Sequence, residues 1–245
     1  MTDRVYAALG DSMSIDDYAG GPGRGAASLL FTNDDTTFPE GIGRDLKSLG
    51  LAAELVLLAK DGATSTEVAA GQLASLRQLG ARPEAVTVSM GGNDLLAAFG
   101  DTSSALLAIE QVSANATNLL QELRKLCGPV VPIALATVYD PSDGLDDMAS
   151  DLGLSPWPEG TAVLGALNTA LRSIAPAHGA AVAEVHGRFM GHGLSVGDPT
   201  QEEAQPANRS LWYCGTVEPN AWGASELGGA FWEALVSFGV AVRAT

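Results

Sequence analysis

The segment AVTVSMGGND at 85–94 joins an apolar run to two glycines and then to two polar side chains. A short run that is apolar along its whole length is typical of a strand in a parallel sheet covered on both faces. VYAALG at 5–10 repeats this arrangement near the amino terminus, where the apolar run leads into Gly-Asp-Ser. Both segments therefore predict buried strands that end in polar turns.

Apolar strands alternate with amphipathic helices along the rest of the chain. Strands are predicted at 5–10, 53–60, 85–92, 132–140 and 180–186. Helices are predicted at 41–50, 64–80, 104–128, 161–175 and 225–242. This alternation favours an α/β fold, a three-layer sandwich in which helices cover both faces of a five-stranded parallel sheet. No linker, repeat or low-complexity segment divides residues 1–245, so we expect one domain.

Composition and charge exclude several classes of protein. Hydrophobic residues make up 46% of the 245 residues and charged residues 17%, which excludes a disordered chain. The formal net charge of −16 opposes binding to nucleic acid or to an anionic membrane, so we expect neither as a partner. The amino terminus lacks the pattern of a signal peptide, and no apolar run approaches a membrane span of about 18 residues. We expect a cytoplasmic protein.

Ligands of such sheets bind at the carboxyl ends of the strands. Ser12, Gly62 and Asn93 follow the first three predicted strands. Ser12 could present its hydroxyl at the start of a helix, with its backbone N–H facing a bound carbonyl oxygen. Gly62 could add a backbone N–H and Asn93 a side-chain amide, which would complete a three-donor oxyanion hole. Each residue taken singly is also compatible with an ordinary turn or helix cap.

Three motifs together resemble a known family. GDSMS at 10–14, DGATS at 61–65 and GGND at 91–94 are similar, in order and spacing, to the first three blocks of the SGNH (GDSL-type) hydrolases. The resemblance implies a flavodoxin-like sheet, the SGNH hydrolase fold. It also implies Ser12 as the nucleophile, Gly62 and Asn93 in the oxyanion hole, and no cofactor.

The fourth block of that family is altered. Family members carry Asp-x-x-His shortly before the last helix, followed by Pro-Asn and a glycine. This chain keeps Pro219, Asn220 and Gly223 but has Gly215 at the aspartate position and Glu218 at the histidine position. A carboxylate with an ordinary pKa of about 4 is a poor base for a serine hydroxyl. The usual base and its orienting acid are therefore missing.

The chain has three histidines to replace that base. His178 precedes the fifth predicted strand and so lies at the wrong end of the sheet. His186 ends this strand, and His192 follows in FMGHG. We hypothesise a rearranged triad in which Ser12 is the nucleophile, His192 the base and Glu218 the group that orients it, with His186 as the alternate base. The other interpretation is a half-buried strand end for His186 and a simple loop position for His192.

These residues predict a serine hydrolase that cleaves carboxylic esters, of short acyl groups or of acetyl groups on a carbohydrate, through an acyl-enzyme on Ser12. The alternative is a catalytically silent SGNH-like module that only binds a ligand.

Trp212 and Trp222 could form a wall of the substrate pocket. A weaker option is a metal-assisted hydrolase, for which turn aspartates would supply oxygen ligands; these are Asp11, Asp16, Asp17, Asp140, Asp143, Asp146 and Asp147. Solvated turn acids are the simpler interpretation, and we predict no metal.

Overall fold

The computed structural model describes residues 4–80, 82–145 and 156–239. Within these residues, five strands form one sheet in the order β2-β1-β3-β4-β5, and every neighbouring pair is parallel. The strands are β1 Arg4–Leu9, β2 Glu54–Leu57, β3 Arg82–Val88, β4 Ile133–Ala136 and β5 Ala181–Ala183. This is the strand order of flavodoxin-like sheets, in which the chain reverses its direction of winding next to β1 and β3.

Helices connect the strands. They are α1 Ala26–Phe31, α2 Leu73–Leu79, α3 Gly92–Leu96, α4 Thr102–Cys127, α5 Gly160–Ala177, α6 Val185–Phe189 and α7 Ala221–Ser237. A π-helical stretch, Glu67–Gln72, runs directly into α2, and single 3-10 turns occur at Ser12–Ser14 and Pro39–Gly41. A small antiparallel pair, β6 Tyr213–Cys214 and β7 Glu218–Pro219, precedes α7. In the described part of the chain, no helix is long and apolar enough to cross a bilayer.

The two faces of the sheet carry separate hydrophobic cores. Side chains alternate between the faces of a strand, so Val86 and Val88 point to one side and Ala85 to the other. The first side packs on α2, α4 and α5, and the second on α1, α6 and α7. The structure thus confirms the predicted three-layer α/β sandwich, and the two cores fix the strand ends that carry the candidate site.

Helix ends follow local capping signals. The long helix α4 begins after Asp101, whose carboxylate accepts a hydrogen bond from the backbone N–H of Ser104 at 3.1 Å. It ends at Cys127, and the residue that follows, Gly128, has a φ of +85°. The prediction at 104–128 therefore differs from the observed helix only at its ends.

One predicted helix was wrong, and one predicted strand is shorter than expected. The segment 41–50 forms turns instead of a helix: Gly43 has a left-handed φ of +72°, and the Asp45 carboxylate accepts from the Ser48 backbone and hydroxyl at 2.8 and 2.7 Å. The fifth strand ends at Ala183, so His186 lies on α6 instead of ending a strand.

The last helix begins four residues earlier than predicted, at Ala221 against 225. The end of that prediction, 240–242, lies outside the described residues.

Candidate active site

The turn after β1 presents Ser12. A Cβ on Gly10 would lie 2.1 Å from the Ser89 hydroxyl oxygen, and the φ of Gly10 is +146°, so only glycine fits here. The Ser89 hydroxyl donates to Asp11 at 2.7 Å, and Asp11 accepts from the Met13 backbone at 3.2 Å. These contacts fix Ser12 at the start of a single 3-10 turn, where it is 7% exposed.

A buried glutamine clamps the same turn. The Gly10 backbone N–H donates to Oε1 of Gln72, and Nε2 of Gln72 donates to the Gly10 carbonyl, both at 2.7 Å. Gln72 ends the π-helical stretch before α2 and is 4% exposed. The sequence analysis missed this residue, because its partner lies 62 positions away.

Side chains join the loops after β2 and β3. The Asn93 amide donates to the Ala63 carbonyl at 3.1 Å. Asp94 accepts from the Ser65 backbone at 2.8 Å and from its hydroxyl at 2.7 Å. Gly62 adopts a φ of +67° in the first of these loops. The structure brings the Gly62 and Asn93 loops to the same edge of the sheet, and their role as oxyanion donors remains a prediction.

A cavity of about 160 Å³ opens beside Ser12 and Asn93. Its wall is mostly apolar and includes Leu95, Leu96, Phe99, Val138, Trp157 and Leu164. Trp157 packs edge-on against Phe99 with 5.2 Å between ring centroids, and its indole N–H donates to Thr102 at 2.9 Å. These two contacts hold the Trp157 ring in the cavity wall.

The predicted wall residues Trp212 and Trp222 do not line this cavity. Trp212 packs edge-on against Phe189, with 5.1 Å between ring centroids. Trp222 packs on Phe38 at 5.8 Å and donates to the Pro206 carbonyl at 2.9 Å. That prediction was wrong because both rings serve the core around α7. Sequence proximity to Glu218 was not a sufficient guide.

The Pro-Asn-x-x-Gly frame has structural roles. The Asn220 side chain caps α7 by accepting from the backbone N–H of Trp222 and Gly223, at 3.0 and 3.1 Å. Its amide donates to the carbonyls of Leu211 and Tyr213, at 2.7 and 3.1 Å. A Cβ on Gly223 would approach the Trp212 carbonyl oxygen to 2.2 Å. These contacts hold α7 against the β6–β7 pair.

Strand β7 places Glu218 next to the nucleophile. This strand contacts the 3-10 turn Ser12–Ser14. The pKa of Glu218 is raised to about 7, and burial is the largest cause. The hydrogen bond from Ser12 partly opposes this rise, and the negative charges of Asp61 and Asp11 add to it. Oε2 of Glu218 is buried and has no hydrogen-bond partner among the described residues.

A second carboxyl group near Ser12 is also shifted. Burial raises the pKa of Asp11 to about 6, although hydrogen bonds from Ser89 and the Met13 backbone oppose this rise. Asp11, Asp61 and Glu218 thus make the polar side of the site acidic. An anionic substrate group would be repelled here.

Each of the two candidate histidines pairs with a backbone carbonyl. The His192 ring stacks on Trp212 with 3.4 Å between centroids, and its Nδ1 pairs with the Ser210 carbonyl at 2.8 Å. The Nδ1 of His186 pairs with the Val138 carbonyl at 3.1 Å. Over residues 4–80, 82–145 and 156–239, no hydrogen bond joins either ring to Ser12 or Glu218. The structure brings together Ser12 and Glu218 of the hypothesised triad, without His192 or His186.

Several turn aspartates brace loops. Asp140 accepts from the Ser142 backbone and hydroxyl at 2.9 and 2.6 Å. Asp16 accepts from two backbone N–H groups of the glycine-rich loop that follows it, both at 2.8 Å. Asp143 holds the loop after α6 through the backbone N–H groups of Gly191 and Gly193.

Asp146 and Asp147 lie outside the described residues. The part of the chain that is described holds no group of three or more histidine, cysteine or acidic residues placed to bind a metal ion.

The fold and the serine turn agree with the resemblance to the GDSL-type hydrolases. The sequence matches the GDSL-like lipase/acylhydrolase family over residues 8–223. The chain belongs to that family, and the recognition based on its first three motifs is confirmed. No curated protein matches the sequence at a significant level.

Solved structures share the fold at low sequence identity. Axe2, an acetylxylan esterase from Geobacillus stearothermophilus, is 16% identical with a TM-score of 0.63, covering 100% of this chain and 97% of its own. LAE5, an α/β hydrolase from the metagenome of Lake Arreo in Spain, is 20% identical with a TM-score of 0.56, covering 96% and 95%. TesA is 17% identical with a TM-score of 0.57, covering 96% and 99%. The family and these neighbours support an esterase-type hydrolase.

Proposed function

We propose that this protein hydrolyses carboxylic esters through an acyl-enzyme on Ser12. The observation that carries the proposal is the position of Ser12 and Asn93 at the mouth of one apolar cavity. A nucleophile and an oxyanion donor must face the same carbonyl carbon, and an acyl chain needs an apolar space next to them. A silent binding module would need the cavity but not this pairing.

The cavity favours an acyl group larger than acetyl. Apolar cavities of about 150 Å³ hold a benzene-sized group, and the cavity here measures about 160 Å³. The acyl chain would lie against Leu96, Phe99 and Trp157. The acidic groups beside Ser12 favour an uncharged ester. We therefore narrow the predicted substrate to neutral esters of acyl groups with about six carbons.

In the first half-reaction, Ser12 Oγ attacks the ester carbonyl and the alcohol leaves. The developing oxyanion rests on the backbone N–H groups of Ser12 and Gly62 and on the Asn93 amide. In the second half-reaction, water attacks the acyl group and releases the acid and the free Ser12 hydroxyl.

The proposal is tested by intact-mass analysis after incubation with a small fluorophosphonate, followed by a digest that locates the adduct. We expect one adduct on Ser12 in the wild type and none in Ser12→Ala. A folded wild-type protein that stays unlabelled would favour the silent binding module instead.

Hydrolysis rates on 4-nitrophenyl acetate, butyrate, hexanoate and decanoate test the acyl preference. We expect kcat/KM to rise from acetate to hexanoate and to fall at decanoate. Leu96→Trp at the cavity wall should move the optimum toward acetate, whereas Leu107→Trp, an exposed leucine of α4 that does not line the cavity, is the matched control. The same optimum in both variants would contradict the assignment of this cavity.

A further inference from the structure

We propose that Glu218 itself is the general base for Ser12, so that the nucleophile works in a serine–glutamate pair without a histidine. This inference rests on the proposed ester hydrolysis and deepens it. It replaces the rearranged triad, in which Glu218 only orients His192. The sequence position alone did not suggest it, because a glutamate in an ordinary environment is too weak a base.

The first argument is contact. Strand β7, which carries Glu218, contacts the 3-10 turn that begins at Ser12, and the adjacent Val217 lines the same cavity as Ser12. His192 is held by Trp212 on its ring face and by Ser210 at Nδ1. The base must lie within hydrogen-bond reach of the proton that it removes, so geometry selects the carboxylate.

The second argument is how firmly the carboxyl group is placed. Glu218 lies in β7, paired with Cys214 of β6, and the capping residue Asn220 follows two positions later. The Tyr139 hydroxyl donates to the carbonyl of Val217 at 2.6 Å. Backbone contacts on both sides of Glu218 thus fix the direction in which its side chain leaves the strand.

The third argument is the surroundings of the carboxyl group. The neighbouring titratable groups that interact with it are Asp11, Asp61, Tyr18, Tyr139 and Cys214. All of them are acidic or neutral. Its Oε2 is buried and lacks a hydrogen-bond partner within the described residues. An unpaired carboxylate in such a place binds a proton more tightly than an exposed one.

The pKa of Glu218 therefore suits the task. A general base is most effective when its pKa lies near the working pH, and burial raises the pKa of Glu218 to about 7. The same carboxylate with its ordinary pKa of 4.5 would be about 300-fold weaker in proton affinity. Where a histidine is absent, the fold thus buries the Glu218 carboxylate and raises its proton affinity.

The proton balance closes over one turnover. Glu218 takes the Ser12 proton as the Oγ–carbon bond forms, and it gives that proton to the alcohol oxygen as the ester bond breaks. It then takes a proton from water as the hydroxyl oxygen binds the acyl carbon, and it returns this proton to Ser12 Oγ as the acyl–serine bond breaks. No other co-reactant is required.

The test compares the rate of fluorophosphonate labelling of Ser12 between pH 5 and pH 9 in wild type, Glu218→Gln and Glu218→Asp. The wild-type rate should rise about tenfold per pH unit below a midpoint near pH 7 and then level off. In Glu218→Gln the rate should fall at least a hundredfold at pH 8 and lose that midpoint. Glu218→Asp should keep a midpoint at a reduced rate. Circular dichroism checks that each variant is folded.

Glu203→Gln is the matched control, since it makes the same chemical change at an exposed loop position. We expect its labelling rate to equal that of wild type. An unchanged rate in Glu218→Gln would overturn the inference and leave the proposed function standing. So would a hundredfold loss in His192→Ala together with a retained pH midpoint in Glu218→Gln. An unlabelled, folded wild type would overturn both proposals.

Discussion

The candidate site is built from two regions that obey different constraints. The first comprises the three loops after β1, β2 and β3, and the second is the β6–β7 pair with the start of α7. In the first region, buried side chains such as Gln72 and Asp94 bind the loops to one another. In the second, Asn220 satisfies backbone groups within its own segment. The three motifs GDSMS, DGATS and GGND all lie in the first region.

The two regions also differ in how closely their glycines are packed. Gly10 contacts Ser89 so closely that any side chain would displace the strand end, so the nucleophile turn cannot vary without damage to the sheet. The frame of the second region depends on Asn220 and Gly223. Gly215 has open space around its Cα, but its left-handed φ of +53° favours glycine there as well.

The largest expected effect tests the first region. Asn93→Ala should lower kcat about 100- to 1000-fold, or about 3–4 kcal/mol of barrier, because an oxyanion-hole donor acts mainly in the transition state. Steady-state kinetics on 4-nitrophenyl hexanoate measure this loss, and KM should change little.

Asn115→Ala is the matched control. Its amide donates to the hydroxyls of Ser65 and Thr66, at 2.9 and 3.1 Å, so it braces the same loops from outside the cavity. We expect its kcat to fall less than about tenfold. Equal losses in the two variants would mean that Asn93 only holds the loop.

The next effect tests the frame of the second region. Asn220→Ala should lower the free energy of unfolding by about 2–3 kcal/mol, because it removes a helix cap and the side-chain donor to the buried carbonyl of Leu211. The Tyr213 carbonyl keeps the amide of Gln201 as a donor. Urea denaturation measures this loss. Asp101→Ala removes only the exposed cap of α4 and should cost about 1 kcal/mol. The frame would be unimportant if both variants lost the same stability.

Sequence reasoning was accurate where signals are local. Strand positions, the strand-end location of Ser12, and the long helix α4 follow from apolar runs, glycines and capping residues that lie close together in the chain. The family motifs added the fold. Short helices such as α1 and α3 were missed, since a segment of five or six residues carries too little periodicity.

Contacts between distant segments could not be predicted. The Gln72 clamp on Gly10, the Trp157 wall and the stacking of His192 on Trp212 each depend on tertiary packing. The raised pKa of Glu218 could not be predicted either, because burial in the folded protein is the main cause of the shift. The identity of the base was therefore the feature least accessible from sequence.

The smallest expected effect concerns the free energy of unfolding, which the buried charge of Glu218 lowers. The folded-state pKa of Glu218 is about 7, above the 4.5 of an ordinary glutamate, so the folded protein binds this proton more tightly than the unfolded chain. Below about pH 4 both states are protonated and the carboxyl group adds no penalty. As the pH rises through the interval between the two values, the unfolded chain ionises first, and the wild type loses stability until the pH exceeds about 7.

Glu218→Gln removes this penalty while keeping the size of the side chain. At pH 8 the variant should be more stable than wild type by about 1–2 kcal/mol, a figure reduced from the full shift because part of the side chain is exposed. At pH 4 the two proteins should differ little. Asp11 titrates in both proteins, so only its charge interaction with Glu218 enters the comparison. Glu203→Gln should show no pH-dependent gain. Urea denaturation at the two pH values measures the difference, and a gain of the same size at both would show that Glu218 carries no buried charge in the folded protein.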